Sequence, residues 1–150
     1  MHRRALPGLA LACMLAATTA VATEFRATSE VAVLYDAPSV KGKPLFVLGR
    51  DYPLEVIVTL ESWLKVRDAG GTVAWVERKA LAERRTLVVR TPVAEILANA
   101  DASAPLVFKA EQNVLLELVD QAAVATPGWV KVRHRDGQTG FVRIGQVWGL

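Results

Sequence analysis

The chain of 150 residues contains one strand–turn–strand pattern written twice. The segment SWLKVRDAGGTVAWV spans residues 62–76, and GWVKVRHRDGQTGFV spans residues 128–142. The residues that match at this offset of 66 positions include Trp63 and Trp129, Lys65 and Lys131, Arg67 and Arg133, and Trp75 and Phe141. A repeat this long exceeds the period of common solenoid units. We therefore predict that each copy is a small domain.

Both copies have the pattern of β-structure. In WLKVR and WVKVR every second residue is a buried-type aliphatic side chain, which is typical of a strand with one face in a core. Glycine-bearing turns follow, and the pair Asp136-Gly137 favours a tight hairpin turn with positive φ. Two further strand-like runs precede each hairpin, giving about five short strands per copy. These features predict an all-β chain made of two small β-barrels in tandem.

The two copies differ in one connection and are separated by a short polar segment. The second copy carries DQAAVATPG at residues 120–128 where the first has only TLES, so we expect an exposed loop there. The segment ERKALAERR at residues 77–85 predicts a short helical turn that leads into the boundary. The expected domains are residues 23–84 and 85–150.

The first 22 residues have the features of an export signal. Arg3 and Arg4 give a positive start, residues 5–22 are uncharged, and Ala20-Val21-Ala22 is a small-x-small cleavage site. A retained membrane anchor is the alternative, but a span needs about 20 strongly apolar residues. Lipid attachment at Cys13 is disfavoured because alanine stands three residues before it, where leucine is expected. We predict a periplasmic or secreted protein without a membrane span after cleavage of residues 1–22.

Charge and composition after cleavage argue against several kinds of chemistry. The chain has 18 lysines and arginines against 15 acidic residues, and two of the basic ones lie in the signal. A nearly neutral exported chain gives no electrostatic basis for nucleic-acid binding. Cleavage also removes Cys13 and leaves His134 as the one histidine, whereas a zinc site needs several nitrogen or sulfur ligands. We predict no catalytic residues, no metal and no cofactor, and we expect His134 in an exposed loop.

The aromatic residues are the better candidates for a binding site. By strict alternation, Trp63 and Trp129 share a strand face with the lysines and arginines that follow them. An indole beside a cation can stack on a sugar or a peptide side chain. The alternative is that each indole covers the mouth of its barrel or the seam between the barrels. The candidate ligand-binding residues are Tyr35, Trp63, Lys65, Arg67, Trp129, Lys131 and Arg133.

The remaining aromatic residues are expected to have structural roles, and a group of cations has two interpretations. Trp75 and Phe141 are expected to contribute to packing, and Trp148 is expected to close the second barrel or lie at the seam. The cations Lys131, Arg133, Arg135 and Arg143 form a basic stripe that is either solvated or able to attract acidic polymers.

Taken together, the motifs resemble the bacterial SH3-like domain, often written SH3b. The pattern is an A-x-L strand, P-L-x-x-L, then Trp-x-Lys-Val and Gly-x-x-Gly/Ala-aromatic-Val, over residues 25–82 and 87–150. Ala74 departs from it, since glycine is usual before the aromatic residue. The resemblance implies SH3-like barrels and a non-catalytic binding or targeting module of secreted and periplasmic proteins. Such modules are often attached to cell-wall hydrolases, and some bind peptidoglycan.

Three functions are compatible with these features. The first is an exported, non-catalytic tandem SH3b protein that contacts peptidoglycan or another envelope peptide or glycan. The second is an envelope scaffold that binds a protein partner through strand pairing or loops. The third is an enzyme of unrecognised type, although no motif in the sequence indicates catalysis.

Overall fold

The computed structural model describes residues 22–119 and 126–150. The predicted signal, its cleavage site and Cys13 lie outside the described residues or at their edge, and so does the 120–125 part of the predicted loop. Within the described segments, no helix is long and apolar enough to cross a membrane.

The first domain is a seven-stranded antiparallel sheet. Its strands pair in the order β3-β2-β6-β5-β4-β1-β7, and a 3₁₀ turn at Arg78–Ala80 joins β6 to β7. The strands are β1 (Glu24–Thr28), β2 (Ala32–Tyr35), β3 (Pro44–Leu48), β4 (Pro53–Thr59), β5 (Trp63–Arg67), β6 (Val73–Glu77) and β7 (Leu81–Ala82).

The second domain repeats this topology strand for strand. Its order is β10-β9-β13-β12-β11-β8-β14, and the 3₁₀ turn recurs at Ile144–Gln146. The strands are β8 (Thr86–Val89), β9 (Val93–Leu97), β10 (Leu106–Glu111), β11 (Leu115–Leu118), β12 (Trp129–Arg133), β13 (Thr139–Arg143) and β14 (Val147–Trp148). The predicted all-β tandem is confirmed, with two more strands per domain than the pattern suggested.

The alternation in the repeated strand selects the core. Leu64 and Val66 of β5 are fully buried, as is Val132 of β12, while Val130 is 2% exposed. In the first domain the core cluster also takes in Leu34 of β2, and residues from the outermost strands pack on the same cluster. A sheet whose two ends share one core must curve, so each domain is a small barrel.

Two equivalent turns require a left-handed backbone. Asp51, before β4, has φ of 69°, and Asn113, before β11, has φ of 70°. Each backbone N–H donates to the end of the first strand of its own domain, Asp51 to Thr28 O at 2.8 Å and Asn113 to Val89 O at 2.9 Å. Aspartate and asparagine are the non-glycine residues that best tolerate this conformation. Gly137, in the predicted hairpin turn, has φ of 96°.

The two barrels meet at a seam made from β1, the linker (residues 83–85, between β7 and β8) and residues 148–149 after the second barrel's 3₁₀ turn. The rings of Phe25 and Trp148 meet edge to face, with centroids 5.1 Å apart. Arg85 of the linker also lies over Phe25, with its guanidinium carbon 5.4 Å from the ring centroid. One guanidinium nitrogen of Arg85 also donates to Gly149 O at 2.8 Å. Trp148 is therefore a seam residue, as expected.

Candidate ligand-binding surface

The outer face of the first barrel carries a group of four side chains that we call the aromatic surface: Tyr35, Trp63, Lys65 and Trp75. They come from three adjacent strands, β2, β6 and β5, and all four are half-buried. Strand register brings them together, because Trp75 lies opposite both Tyr35 and Lys65. Their neighbours in sequence, such as Leu64 and Val76, point into the core.

The contacts within the aromatic surface fix the indole of Trp63. The Tyr35 and Trp63 rings meet edge to face with centroids 5.6 Å apart and an interplanar angle of 83°. The Lys65 ammonium lies 5.8 Å from the centroid of the Trp75 ring. The Trp63 side chain is only half-buried, so part of its surface stays open to a ligand. Two of the sequence candidates, Tyr35 and Trp63, are therefore in direct contact.

A groove of about 500 Å³ runs beside the Trp63 indole. Its other lining residues are Glu61, Ser62, Glu77, Arg78 and Lys79. The carboxylate of Glu77 pairs with the ammonium of Lys79 at 2.8 Å, and this hydrogen bond raises the pKa of Lys79. The groove thus offers both signs of charge next to an aromatic ring, a combination suited to a zwitterionic peptide or a sugar.

Arg67, the remaining candidate of the first domain, is already paired. Its guanidinium donates to the Glu55 carboxylate on the neighbouring strand at 2.9 Å. This ion pair lies two residues along the strand from Lys65. Arg67 therefore borders the aromatic surface without joining its contacts.

The equivalent position in the second barrel is closed. Trp129 is only 8% exposed, and Arg143 lies across its ring with the guanidinium carbon 4.7 Å from the centroid. Trp129 therefore presents little of its ring for stacking, although it lies outside the core cluster of its barrel, as alternation requires. Tyr35 also has no equivalent, because Leu97 occupies its place opposite Phe141 and is buried.

The other candidates of the second barrel are separated from one another. Lys131 lies 6.0 Å from the centroid of the Phe141 ring, repeating the pair of Lys65 and Trp75. Arg133 faces Glu117 at 3.6 Å. With Arg143 on the indole, the predicted basic stripe is divided among different partners.

Two aromatic residues lie where the sequence interpretation did not place them. Trp75 and Phe141 were expected to contribute to packing, but both lie half-buried on the outer face under a lysine. The alternation of β6 and β13 contains the signal, because Ala74 and Val76, and likewise Gly140 and Val142, are the buried residues there.

Titratable groups outside this face are dispersed. Among residues 22–119 and 126–150, no cluster of three or more histidines, cysteines or acidic residues could hold a metal ion. His134, half-buried beside Phe108, has its Nδ1 3.0 Å from the Asp136 carboxylate. The Asp136 carboxylate accepts a hydrogen bond from the backbone N–H of Gln138, which lowers its pKa.

These features define a tandem of small β-barrels with an aromatic surface on the outer face of the first barrel. The chain belongs to the bacterial SH3 domain family: the family profile described as "Bacterial SH3 domain" matches residues 28–83 and residues 92–149. The SH3-like nature of both barrels is thereby confirmed. No curated protein matches the chain.

The solved structures that are similar to the chain include two NlpC proteins. NlpC2 from Trichomonas vaginalis is 14% identical, with a TM-score of 0.38, over 86% of this chain and 49% of that one. NlpC1 from Trichomonas vaginalis is 15% identical, with a TM-score of 0.38, over 91% of this chain and 51% of that one. The chain thus spans about half the length of each.

Proposed function

We propose that the protein is an exported, non-catalytic binding module that contacts peptidoglycan, or another peptide or glycan of the cell envelope. The export signal at residues 1–22, a periplasmic or secreted location and a domain boundary between residues 84 and 85 are parts of this proposal. The observation that carries it is the half-buried indole of Trp63, whose ring contacts Tyr35 at 5.6 Å beside a groove of mixed charge.

Ligand binding by this proposal depends on the first barrel. Its aromatic surface has an accessible indole, whereas Arg143 covers the equivalent indole of the second barrel. A sugar ring or a peptide side chain would stack on Trp63, while Lys65 and the Glu77–Lys79 pair would meet its polar groups.

Sedimentation of the purified protein with insoluble peptidoglycan tests the proposal. We expect the protein to enter the pellet, and we expect Trp63→Ala to remain in the supernatant with an unchanged circular dichroism spectrum. Lys65→Ala should weaken retention, while Lys131→Ala, the same change at the equivalent position of the second barrel, should leave it unchanged. Absence of the wild-type protein from the pellet, or equal losses for the two lysine variants, would refute the proposal.

A second candidate function is supported by the sheet edges. Strand β3 ends the first sheet, and its Leu45 and Val47 are 42% and 61% exposed. Strand β10 ends the second sheet, with Leu106 exposed. Exposed apolar edge strands can pair with a strand of another protein. Replacing Val47 with lysine would impair such a scaffold and would leave peptidoglycan binding intact.

A further inference from the structure

The cleft between the two barrels is rich in charged residues and differs in this from the aromatic surface. It has a volume of about 450 Å³ and contains four arginines and two carboxylates. Its charged lining residues are Arg50, Asp51, Arg84, Glu117, Arg133 and Arg135. The first three come from the first barrel and the linker, and the other three come from the second barrel. The cleft therefore exists only because the two copies are joined.

The carboxylates of the cleft already have partners. Asp51 contacts the guanidinium of Arg84 and lies 3.7 Å from that of Arg50. Glu117 lies 3.6 Å from Arg133. If each carboxylate neutralises one guanidinium, two positive charges remain, which corresponds to four arginines less two carboxylates.

The two remaining guanidinium groups come from different barrels and so belong to different walls of the cleft. The side chain of Arg50 is 69% exposed, and its only ion pair among the described residues is the long contact with Asp51. Arg135 is exposed and makes no ion pair with any residue of the described segments. Guanidinium groups hold carboxylates and phosphates through paired N–H donors, so each wall offers one such group.

We propose that this cleft binds an acidic peptide through two separate carboxylates, one at Arg50 and one at Arg135. Because Asp51 and Glu117 reduce the net charge of the cleft to about two positive charges, it suits two single carboxylates better than a dense, multiply charged phosphate group. Two single negative charges spaced apart match the two guanidinium groups that the internal pairs leave over. This site is separate from the aromatic surface, and its existence does not depend on peptidoglycan binding.

Titration of the purified protein with the blocked peptide Glu-Glu-Glu tests this assignment. We expect saturable shifts of the backbone amide signals of Thr86, Asn113 and His134, which line the cleft. Arg50→Gln and Arg135→Gln should each raise the dissociation constant of the peptide about tenfold, the usual effect of losing one hydrogen bond to a charged group. The neutral peptide Gln-Gln-Gln should produce no saturable shifts.

Two control variants separate a defined site from general charge. Lys41→Gln removes the same charge from an exposed loop of the first barrel, and Trp63→Ala removes the aromatic surface. Both should bind Glu-Glu-Glu like the wild-type protein. The assignment is overturned by absent binding, by an equal loss in Lys41→Gln, or by amide shifts elsewhere. Tighter binding of inorganic tripolyphosphate than of the peptide would also overturn it.

Discussion

Arg143 lies on the ring of Trp129 at 4.7 Å, whereas Glu77 occupies the position opposite Trp63 in the first barrel. The register of this hairpin is the same in both domains, so an acidic and a basic residue occupy equivalent positions opposite the two indoles. A cation over an indole is attracted by the ring and covers it. A carboxylate has no such attraction and is drawn here to Lys79 instead.

Arg143→Gln should uncover Trp129. We expect the Trp129 indole N–H signal to shift toward that of a solvated indole, and unfolding in urea to show a loss of about 0.5–1 kcal/mol. Arg135→Gln is the matched control, because it removes an arginine of the same barrel that forms no cation–π pair in the described segments. An unchanged Trp129 signal in Arg143→Gln would show that other groups bury the indole.

Neighbouring residues of β5 should separate binding from stability. Leu64 is fully buried, so we expect Leu64→Ala to lower the free energy of unfolding by about 2–5 kcal/mol. The same variant should still sediment with peptidoglycan while it is folded. Trp63→Ala should show the reverse result, with lost sedimentation and a smaller loss of stability. Urea unfolding curves measure the first effect, and a larger stability loss for Trp63→Ala would place that indole in the core.

The contact between Phe25 and Trp148 should couple the two barrels energetically. A double-mutant cycle with Phe25→Ala and Trp148→Ala should give a coupling free energy of about 0.5–1.5 kcal/mol, typical of an edge-to-face ring pair. The measurement is denaturant unfolding of the two single variants and the double variant. Additive effects, with no coupling term, would mean that the barrels do not share this contact in solution.

Gly149 should tolerate no side chain. Its φ is 120°, and an added Cβ would lie 2.7 Å from Thr86 O and 3.2 Å from the Pro53 Cβ. We expect Gly149→Ala to destabilise the protein by about 1–3 kcal/mol because backbone strain and the clash act together. Gly145→Ala is the control, since an added Cβ there meets nothing within 4 Å. Equal thermal midpoints for the two variants would contradict this account of the seam.

Acid should weaken the hairpin turn of the second barrel. The folded-state pKa of Asp136 lies below the ordinary value of 3.8, chiefly because the backbone N–H of Gln138 donates to its carboxylate. A depressed folded pKa adds stability at pH values above 3.8 and loses it as pH falls through the folded pKa. Asp136→Asn should therefore flatten the pH dependence of stability in this range. If the stability of Asp136→Asn depended on pH as that of the wild-type protein does, this turn would not contribute to the loss of stability in acid.

The repeat and its alternation were sufficient to predict the barrels. Leu64 and Val132 lie in the cores as their position in the strand requires, because a strand with one buried face must alternate. The match between Trp63 and Trp129, however, suggested two equivalent indoles. Their exposure differs because Arg143 lies opposite Trp129 and Glu77 lies opposite Trp63 on the neighbouring strand. These pairs follow from the strand register, which the structure supplies.

The cleft between the barrels could not be predicted from either copy alone. Arg84 belongs to the linker, and Arg135 belongs to a hairpin turn about fifty positions later. Their proximity depends on how the seam holds the barrels, which reflects packing at Phe25, Trp148 and Gly149 rather than local sequence preference. The sequence shows these charged residues, but it does not show that they line the same cleft.

The tight fit around Gly149 gives the last residues an influence on the whole tandem. Strand β14 pairs with β8, directly after the linker, and Gly149 then lies against Pro53 of the first barrel. The angle between the barrels is thus set partly by the carboxyl end, far in sequence from the copy it supports. A substitution at Gly149 would therefore change the orientation of the first barrel relative to the second while leaving the fold of the first barrel intact.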